Sequence, residues 1–167
     1  MKLFFLGMIL GWIVLPIAGI LYLRFGYVPV AVNGPVIPFE ELLAGTAVQA
    51  RIARDAPAQA AIPPTDDHLI AGAKLYREHC VDCHGRPGSS ITPAAKGMYP
   101  PPPQFFERKV MGNEPVGQNY WIIANGIRLT GMPGYRGALT DEQIWQVSQF
   151  VSKRSELPDA ASVVVSK

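Results

Sequence analysis

Two cysteines and a histidine form the most chemically specific cluster of this sequence, Cys80-Val81-Asp82-Cys83-His84. Two thiols three positions apart, followed at once by an imidazole, are typical of a c-type haem attachment site, because the thiols form thioethers with two vinyl groups and the imidazole reaches the iron. A thioredoxin-like redox dithiol is the main alternative for the same spacing. The chain has only these two cysteines, so none remains for a disulfide or a four-cysteine zinc site. The motif predicts one covalently attached haem c.

The composition is that of a chain of about one domain with a strongly apolar N-terminal segment. Its 167 residues are 49% hydrophobic and carry a formal net charge of +2. Because the charge is nearly balanced and basic clusters are absent, the sequence gives no basis for nucleic-acid binding. We therefore predict no nucleic-acid partner.

An uncharged apolar run extends from Leu3 to Leu23 and is flanked by basic residues. As an α-helix it would be about 31 Å long, which matches a hydrocarbon core of about 30 Å. A cleaved signal peptide would have a shorter apolar region followed by a small-x-small site, and Pro29-Val30-Ala31 is a poor candidate for such a site. We expect a single transmembrane anchor over residues 1–25, with the lipid bilayer as its partner.

The charges that flank the anchor predict the same membrane topology as the haem motif does. Lys2 and the N-terminal ammonium give a small positive-inside bias over Arg24, which places the N-terminus in the cytoplasm. Covalent haem attachment in bacteria takes place on the outer side of the cytoplasmic membrane. We therefore predict a single-pass protein of the bacterial inner membrane, with its haem domain on the periplasmic side.

Residues 26–64 are predicted to form a periplasmic spacer that contains one helix. Prolines and glycines recur over residues 26–38, which predicts an extended segment leaving the membrane. Acidic residues at the start and basic residues at the end of the next segment suit the helix dipole. We expect a helix over about 39–54, packed on the haem domain or lying near the lipid surface. Residues 55–64, rich in alanine and proline, are expected to form a second linker.

Capping signals predict two helices at the two ends of a haem domain over residues 65–157. Thr65 is the expected N-cap of the first helix. One face of that helix carries a stripe made of Leu69, Ala73, Tyr76 and Cys80. Gly72 lies on an adjoining row, where a missing side chain permits close approach of another helix. Thr140 to Gln143 fits a capping box at the start of the second helix. Trp145 on this helix is expected in ordinary core or over Gly72 and Tyr76 at a helix crossing.

Residues 65–157 resemble a class I monohaem cytochrome c in an ordered set of features. The set is Gly72-x-x-x-Tyr76-x-x-x-Cys80-x-x-Cys83-His84, a long loop, a short helix, Met132-Pro133 and a closing aromatic helix at Trp145. The resemblance implies a small all-α bundle around one haem, with His84 as the proximal and Met132 as the distal iron ligand, and one-electron transfer as the task.

Residues 158–167 form a C-terminal tail, which we expect to be disordered or to form a strand that docks only in a complex.

The residues themselves leave three methionines as candidate sixth ligands, Met98, Met111 and Met132. Met132 is favoured because glycines and a proline flank it, which lets the backbone approach a ring and restricts the loop. Met98 has a similar flanking glycine and stays open. His68 and His79 lie on the helix that carries the first attachment cysteine, so we expect solvated or capping roles for them.

Three further segments have predicted supporting roles. Residues 119–125 are expected to form a short helix that ends at Gly126 in a left-handed C-cap. Arg128 is expected to pair with a haem propionate or to lie at the surface. The four-proline run over residues 100–103 is stiff, and we expect it to form a wall of the haem crevice, with a partner-recognition segment as the alternative.

These features together predict an electron-transfer protein. Iron with both axial positions filled has no free site for a substrate, so His/Met ligation predicts a carrier and not an enzyme. We expect a tethered relay between redox proteins, such as an oxidase, a quinol-oxidising complex or a dehydrogenase, either as a shuttle or as a fixed subunit. A haem enzyme or gas sensor with a labile sixth ligand is the alternative, and a purely structural haem domain is a third.

Overall fold

The computed structural model describes residues 1–107 and 114–166, with the side chain of Leu3 excepted. Within these ranges the chain forms helices and no strands. The helices are α1 (Lys2–Arg24), α2 (Glu40–Asp55), α3 (Asp66–His79), α4 (Val81–His84), α5 (Pro93–Lys96), α6 (Val116–Asn125), α7 (Asp141–Ser152) and α8 (Asp159–Ser166). The predicted all-α class is therefore confirmed for this part of the chain.

The first of two units, Met1–Leu43, consists mainly of α1. Its span Phe4–Arg24 has 21 residues with a mean hydropathy of 2.4, and none of it is buried. A helix of this length and composition can cross a membrane, and a signal sequence has the same properties. Near its end Tyr22 and Tyr27 stack, with ring centroids 5.7 Å apart. The structure thus has an apolar helix where the anchor is predicted.

The second unit, Ala44–Lys167, is a bundle built around α3. Helix α3 packs against α7 and α8, and α6 packs against α7. The core between them consists of buried side chains from all four helices, among them Tyr76, Ile123, Ile144, Phe150 and Val165. The unit therefore has one hydrophobic core that α3 and α7 share.

Both predicted N-terminal caps are present. The Thr65 hydroxyl accepts a hydrogen bond from the His68 backbone N–H at 3.3 Å and starts α3. At the start of α7, Thr140 and Gln143 form a reciprocal capping box, in which each side chain accepts from the other residue's backbone N–H. The sequence predicted these helix starts because a cap depends only on residues within one turn.

The crossing of α3 and α7 is closed by a different aromatic residue from the one predicted. A Cβ atom at Gly72 would clash with the Gln146 carbonyl oxygen and lie 2.8 Å from the Phe150 Cβ. Phe150 also contacts the ring of Tyr76, with centroids 5.2 Å apart. Trp145 instead stacks on Tyr120 of α6 at 4.0 Å. Trp145 is thus a core residue, which is one of its two predicted places. The other prediction, that it covers Gly72 and Tyr76, is wrong, because residues 146 and 150 share the face of α7 that meets α3, whereas residue 145 lies about 100° from residue 146.

The segment after α2 is fastened to the bundle. A Cβ at Gly117, in α6, would clash with the main chain of Pro57. Farther along, Gln149 Nε2 donates a hydrogen bond to the Ile62 carbonyl at 2.5 Å. In α2 itself, which starts and ends one residue later than expected, Ile52 is buried, whereas Leu42 and Leu43 are exposed. Residues 55–64 thus contact the bundle, where the sequence suggested a free linker.

The C-terminal tail is helical. Helix α8 packs against α3 and fully buries Ala161 and Val165. The expectation of a disordered end or of a strand is therefore wrong for residues Asp159–Ser166, which form this helix. Ala161 and Val165, four positions apart, lie on one face of this helix, and α3 offers an apolar surface that this face covers.

Candidate haem site

A crevice of about 300 Å³ in the second unit brings the predicted site residues together. Cys80, Cys83 and His84 line it, and so do Met98 and Met132. The rest of the wall is mainly apolar, and its members include Pro100, Pro101, Pro102, Pro103, Phe105, Ile122, Ile123, Ile127, Pro133 and Val151. Ligand pockets in proteins have volumes of about 300–1,000 Å³ and mostly apolar walls. The four-proline run is thus part of the crevice wall, which is one of its two predicted roles.

The attachment motif lies where α3 passes into α4. Cys80 ends α3, and His84 N–H donates to the Cys80 carbonyl at 2.9 Å in the short helix that follows. Gly85 then turns the chain with a φ of 74°, a conformation that side-chain-bearing residues rarely adopt. The buried Tyr76 hydroxyl donates to the Gly85 carbonyl at 2.6 Å. These contacts hold both cysteines and the histidine on one wall of the crevice.

His84 has the environment of a neutral imidazole with one nitrogen available. Its Nδ1 lies 2.9 Å from the Pro103 carbonyl oxygen. Because a carbonyl can only accept, Nδ1 carries the proton and Nε2 keeps its lone pair. Burial lowers the pKa of His84, although the hydrogen bond to Pro103 acts in the opposite direction. An imidazole of this kind is suited to binding a metal through Nε2.

The surroundings of Cys80 differ from those of a redox dithiol. Burial, with a smaller effect of Cys83, raises the pKa of the Cys80 thiol to about 12. Reactive thiols of the thioredoxin type need a lowered pKa, which they obtain from partial exposure and positive surroundings. The environment of Cys80 therefore does not support the thioredoxin-like alternative.

The loop that carries Met132 is held against the end of α6. Ile127 N–H donates to the Met132 carbonyl at 3.2 Å, and Met132 N–H donates to Thr130 Oγ1 at 3.1 Å. Gly126, with a φ of 68° and a ψ of −176°, lies so close that an added Cβ would be 2.8 Å from the Met132 carbonyl oxygen. This ψ differs from that of the predicted left-handed cap, because the chain must extend here to meet the returning loop.

Met98 lies beside the same loop. An added Cβ at Gly131 would be 2.8 Å from the Met98 sulfur. Both Met98 and Met132 thus line the crevice. Two of the three methionines considered as sixth iron ligand therefore remain candidates. Met111 lies outside the described residues.

Of the remaining candidates, His79 lines the crevice, whereas His68 and Arg128 are not among its lining residues. His68 Nδ1 donates to the Pro63 carbonyl at 2.7 Å, and its backbone N–H is capped by Thr65. His79 lines the crevice, and its carbonyl accepts from the Tyr135 hydroxyl at 2.9 Å. Arg128 is exposed. A contact between Arg128 and a propionate stays a prediction.

Sequence reasoning missed a group of residues next to His84. The Phe105 ring lies parallel to the His84 imidazole, with centroids 4.5 Å apart and an interplanar angle of 4°. Arg154, which is 5% exposed, contacts Phe105 and forms an ion pair with Glu114. Burial of Glu114 acts to raise its pKa, but hydrogen bonding to Arg154 and its charge hold the pKa below its usual value. No local pattern marks these residues, because long stretches of chain separate them.

The lining as a whole suits a haem group. Two free thiols and an imidazole with an available nitrogen share one wall. The sulfurs of Met98 and Met132 are available from two other segments, after α5 and after α6, and the apolar walls can cover a macrocycle. A small helical bundle with such a crevice is the arrangement of a c-type cytochrome.

Comparison with known proteins identifies the family. Residues 68–151, half of the chain, match the family model described as cytochrome C oxidase, cbb3-type, subunit III. The chain therefore belongs to this family of c-type cytochromes, and its cofactor is haem c.

Two individual proteins are similar to parts of the chain. A quinohemoprotein alcohol dehydrogenase, ADH-IIG of Pseudomonas putida, is 33% identical over 142 residues, which cover 83% of this chain and 17% of that protein. The chain thus spans about a sixth of the length of this curated relative. A solved structure of the Kuenenia stuttgartiensis reducing HAO-like protein complex Kustc0457/Kustc0458 has a TM-score of 0.48 and 26% identity, with 57% of this chain and 47% of that chain covered.

Proposed function

We propose that this chain is a membrane-tethered one-electron carrier with a single haem c bonded to Cys80 and Cys83 and ligated by His84 and Met132. The attached group supplies an iron that alternates between the ferrous and ferric states. The observation that carries the proposal is that all four residues line one apolar crevice. If His84 and Met132 both hold the iron, no coordination position would be open to a substrate.

The protein's own residues have three tasks in this proposal. Pro103 and Phe105 fix the ring of His84, so that Nε2 keeps one direction. The apolar walls exclude water, which limits reorganisation when the charge on the iron changes. Methionine ligation and burial together favour the reduced state and so raise the reduction potential.

We propose that α1 is retained as an anchor in the bacterial cytoplasmic membrane and that the haem domain works on its outer side. Residues 1–25 are then the anchor, residues 26–64 the spacer and residues 65–157 the haem domain, and the tail over residues 158–167 docks on this domain through α8. The support is the exposed apolar helix at Phe4–Arg24. A tether raises the effective concentration of partners in the same membrane.

The proposed partners are redox proteins on both sides of the carrier. The similar protein from Pseudomonas putida is named as a quinohemoprotein alcohol dehydrogenase, and the family is named after a subunit of a cytochrome c oxidase. These names support a dehydrogenase as donor and an oxidase as acceptor. Purification from membranes in mild detergent, followed by identification of the proteins that co-purify, tests this assignment.

Substitution of the two methionines tests the ligation. The ferric wild-type protein is expected to show the far-red methionine-to-iron charge-transfer band. Met132→Ala should abolish this band, whereas the matched variant Met98→Ala should keep it, because only Met132 is proposed to bind the iron. If only Met98→Ala loses the band, the iron ligand is Met98 and not Met132. A high-spin wild-type spectrum without the band would favour the haem enzyme or gas sensor.

A further inference from the structure

Arg154 is a buried cation that contacts Glu114, Phe105 and the Val151 carbonyl of its own helix. Its side chain is 1% exposed and forms a bidentate pair with Glu114, with N–O distances of 2.6 and 3.2 Å. Arg154 Nε also donates to the Phe105 carbonyl at 3.1 Å, and the guanidinium carbon lies 5.3 Å from the centre of the Phe105 ring. A buried guanidinium is tolerated only when its donors are satisfied in this way.

Phe105 is in turn fastened to His84 by its main chain and by its ring. Phe105 N–H donates to the His84 carbonyl at 3.1 Å. Its ring lies 4.5 Å from the imidazole and nearly parallel to it. One residue earlier, Gln104 Nε2 donates to the Cys83 carbonyl at 2.8 Å. The segment that Arg154 holds therefore lies directly along the haem-attachment turn.

We propose that Arg154 is a positioning residue for the haem iron, which acts through Phe105 to fix the plane of the His84 imidazole and to keep water from it. The inference rests on the proposed function, because it takes His84 as an iron ligand. Replacing a group that orients a metal-binding histidine typically costs about 10–100-fold in metal affinity or activity. Arg154 would do so through an intervening ring, without contact with the histidine itself.

The geometry of the guanidinium explains why a lysine should not replace it. Arginine presents a planar fork that can bind a carboxylate with two nitrogens and still donate sideways through Nε. A lysine keeps the charge but cannot pair with both oxygens of Glu114 and reach the Phe105 carbonyl together. The ring of Phe105 would then be free to tilt, and water could approach His84. Water stabilises the ferric state, which carries the extra positive charge, so the reduction potential should fall.

The test compares Arg154→Lys with Lys153→Arg in the haem-loaded full chain. Lys153 is the neighbouring residue, its side chain is 47% exposed, and its ion pair with Glu156 is on the surface. Both substitutions keep the net charge. Two readouts are measured, the midpoint potential and the paramagnetic NMR shifts of the haem methyl groups, whose pattern depends on the orientations of the histidine and methionine that would hold the iron. Arg154→Lys should lower the potential and redistribute the methyl shifts, and Lys153→Arg should leave both unchanged.

The result that overturns the proposal is an Arg154→Lys protein with wild-type potential and methyl shifts but a lower melting temperature, since Arg154 would then be structural only. If this variant does not fold, Phe105→Leu decides by the same two readouts, because it removes the ring that transmits the effect. The wild-type spectrum tests the proposed function separately. A missing methionine-to-iron band would refute His/Met ligation whatever these variants do.

Discussion

Glu114 and Arg154 show how one residue pair makes the stability of the protein depend on pH. The Glu114 pKa lies below the usual carboxyl value of 4.5, mainly because the hydrogen bonds and charge of Arg154 outweigh the effect of burial. A carboxyl whose pKa is lowered on folding contributes stability above its unfolded pKa, and that contribution is lost as the pH falls through the folded pKa.

We therefore expect the wild-type protein to melt at a higher temperature than Glu114→Gln near neutral pH, and this difference to shrink once the pH falls below about 4.5. Melting curves at a series of pH values measure it. Glu156→Gln is the control, because its ion pair with Lys153 is long and exposed and such pairs contribute little. A difference that stays constant down to pH 3 would mean that the charge of Glu114 does not matter.

At the scale of elements, the close crossing of α3 and α7 depends on a glycine. Gly72→Ala places a methyl group against the main chain of Gln146 and the Phe150 side chain. Overpacking of this kind costs about 1–3 kcal/mol. Gly45→Ala, also within a helix, meets nothing within 4 Å and should stabilise the protein by up to about 1 kcal/mol through helix propensity. Denaturant unfolding of both variants measures the two effects. Equal free energies of unfolding for the two variants would contradict the close contact of α3 and α7 at Gly72.

Helix α8 is a second element whose packing can be tested with a matched pair. Val165 is fully buried, whereas Val163 is 53% exposed. Val165→Ala should destabilise the protein by about 1–3 kcal/mol, since it removes buried apolar surface and leaves a cavity. Val163→Ala should change the free energy of unfolding by less than about 0.5 kcal/mol. Equal losses for both would mean that the tail does not dock on α3.

The helix starts and the haem motif could be predicted because their signals are local. Thr65, Thr140 and the cysteines each act within a few residues, so the sequence alone locates them. The face of a helix is harder to predict, since one position changes the direction by about 100°. That is why Trp145 was expected where Phe150 lies. The contacts between Arg154 and Phe105, 49 residues apart, have no local signal and required the folded chain.

For the whole molecule, retention of α1 decides where the protein works. If α1 stays on the chain, intact mass spectrometry should find residues 1–25 in the mature protein, and the protein should stay in membranes after an alkaline carbonate wash. Replacement of residues 1–25 by a cleavable secretion signal should release a haem-loaded, soluble domain, since the covalent site lies in the second unit. Recovery of wild-type protein that begins after Phe25 would show cleavage and end the anchor proposal.

Gly126 and Gly134 interlock the end of α6 with the loop after Met132. A Cβ at Gly126 would lie 2.6 Å from the Gly134 nitrogen, and a Cβ at Gly134 would lie 2.7 Å from the Asn125 carbonyl oxygen. A side chain at either position would force the main chain of Asn125 or of the loop that carries Met132 to shift. In a saturation-mutagenesis series read by the methionine-to-iron band, these two positions should therefore be as intolerant as Met132, although neither glycine has a side chain.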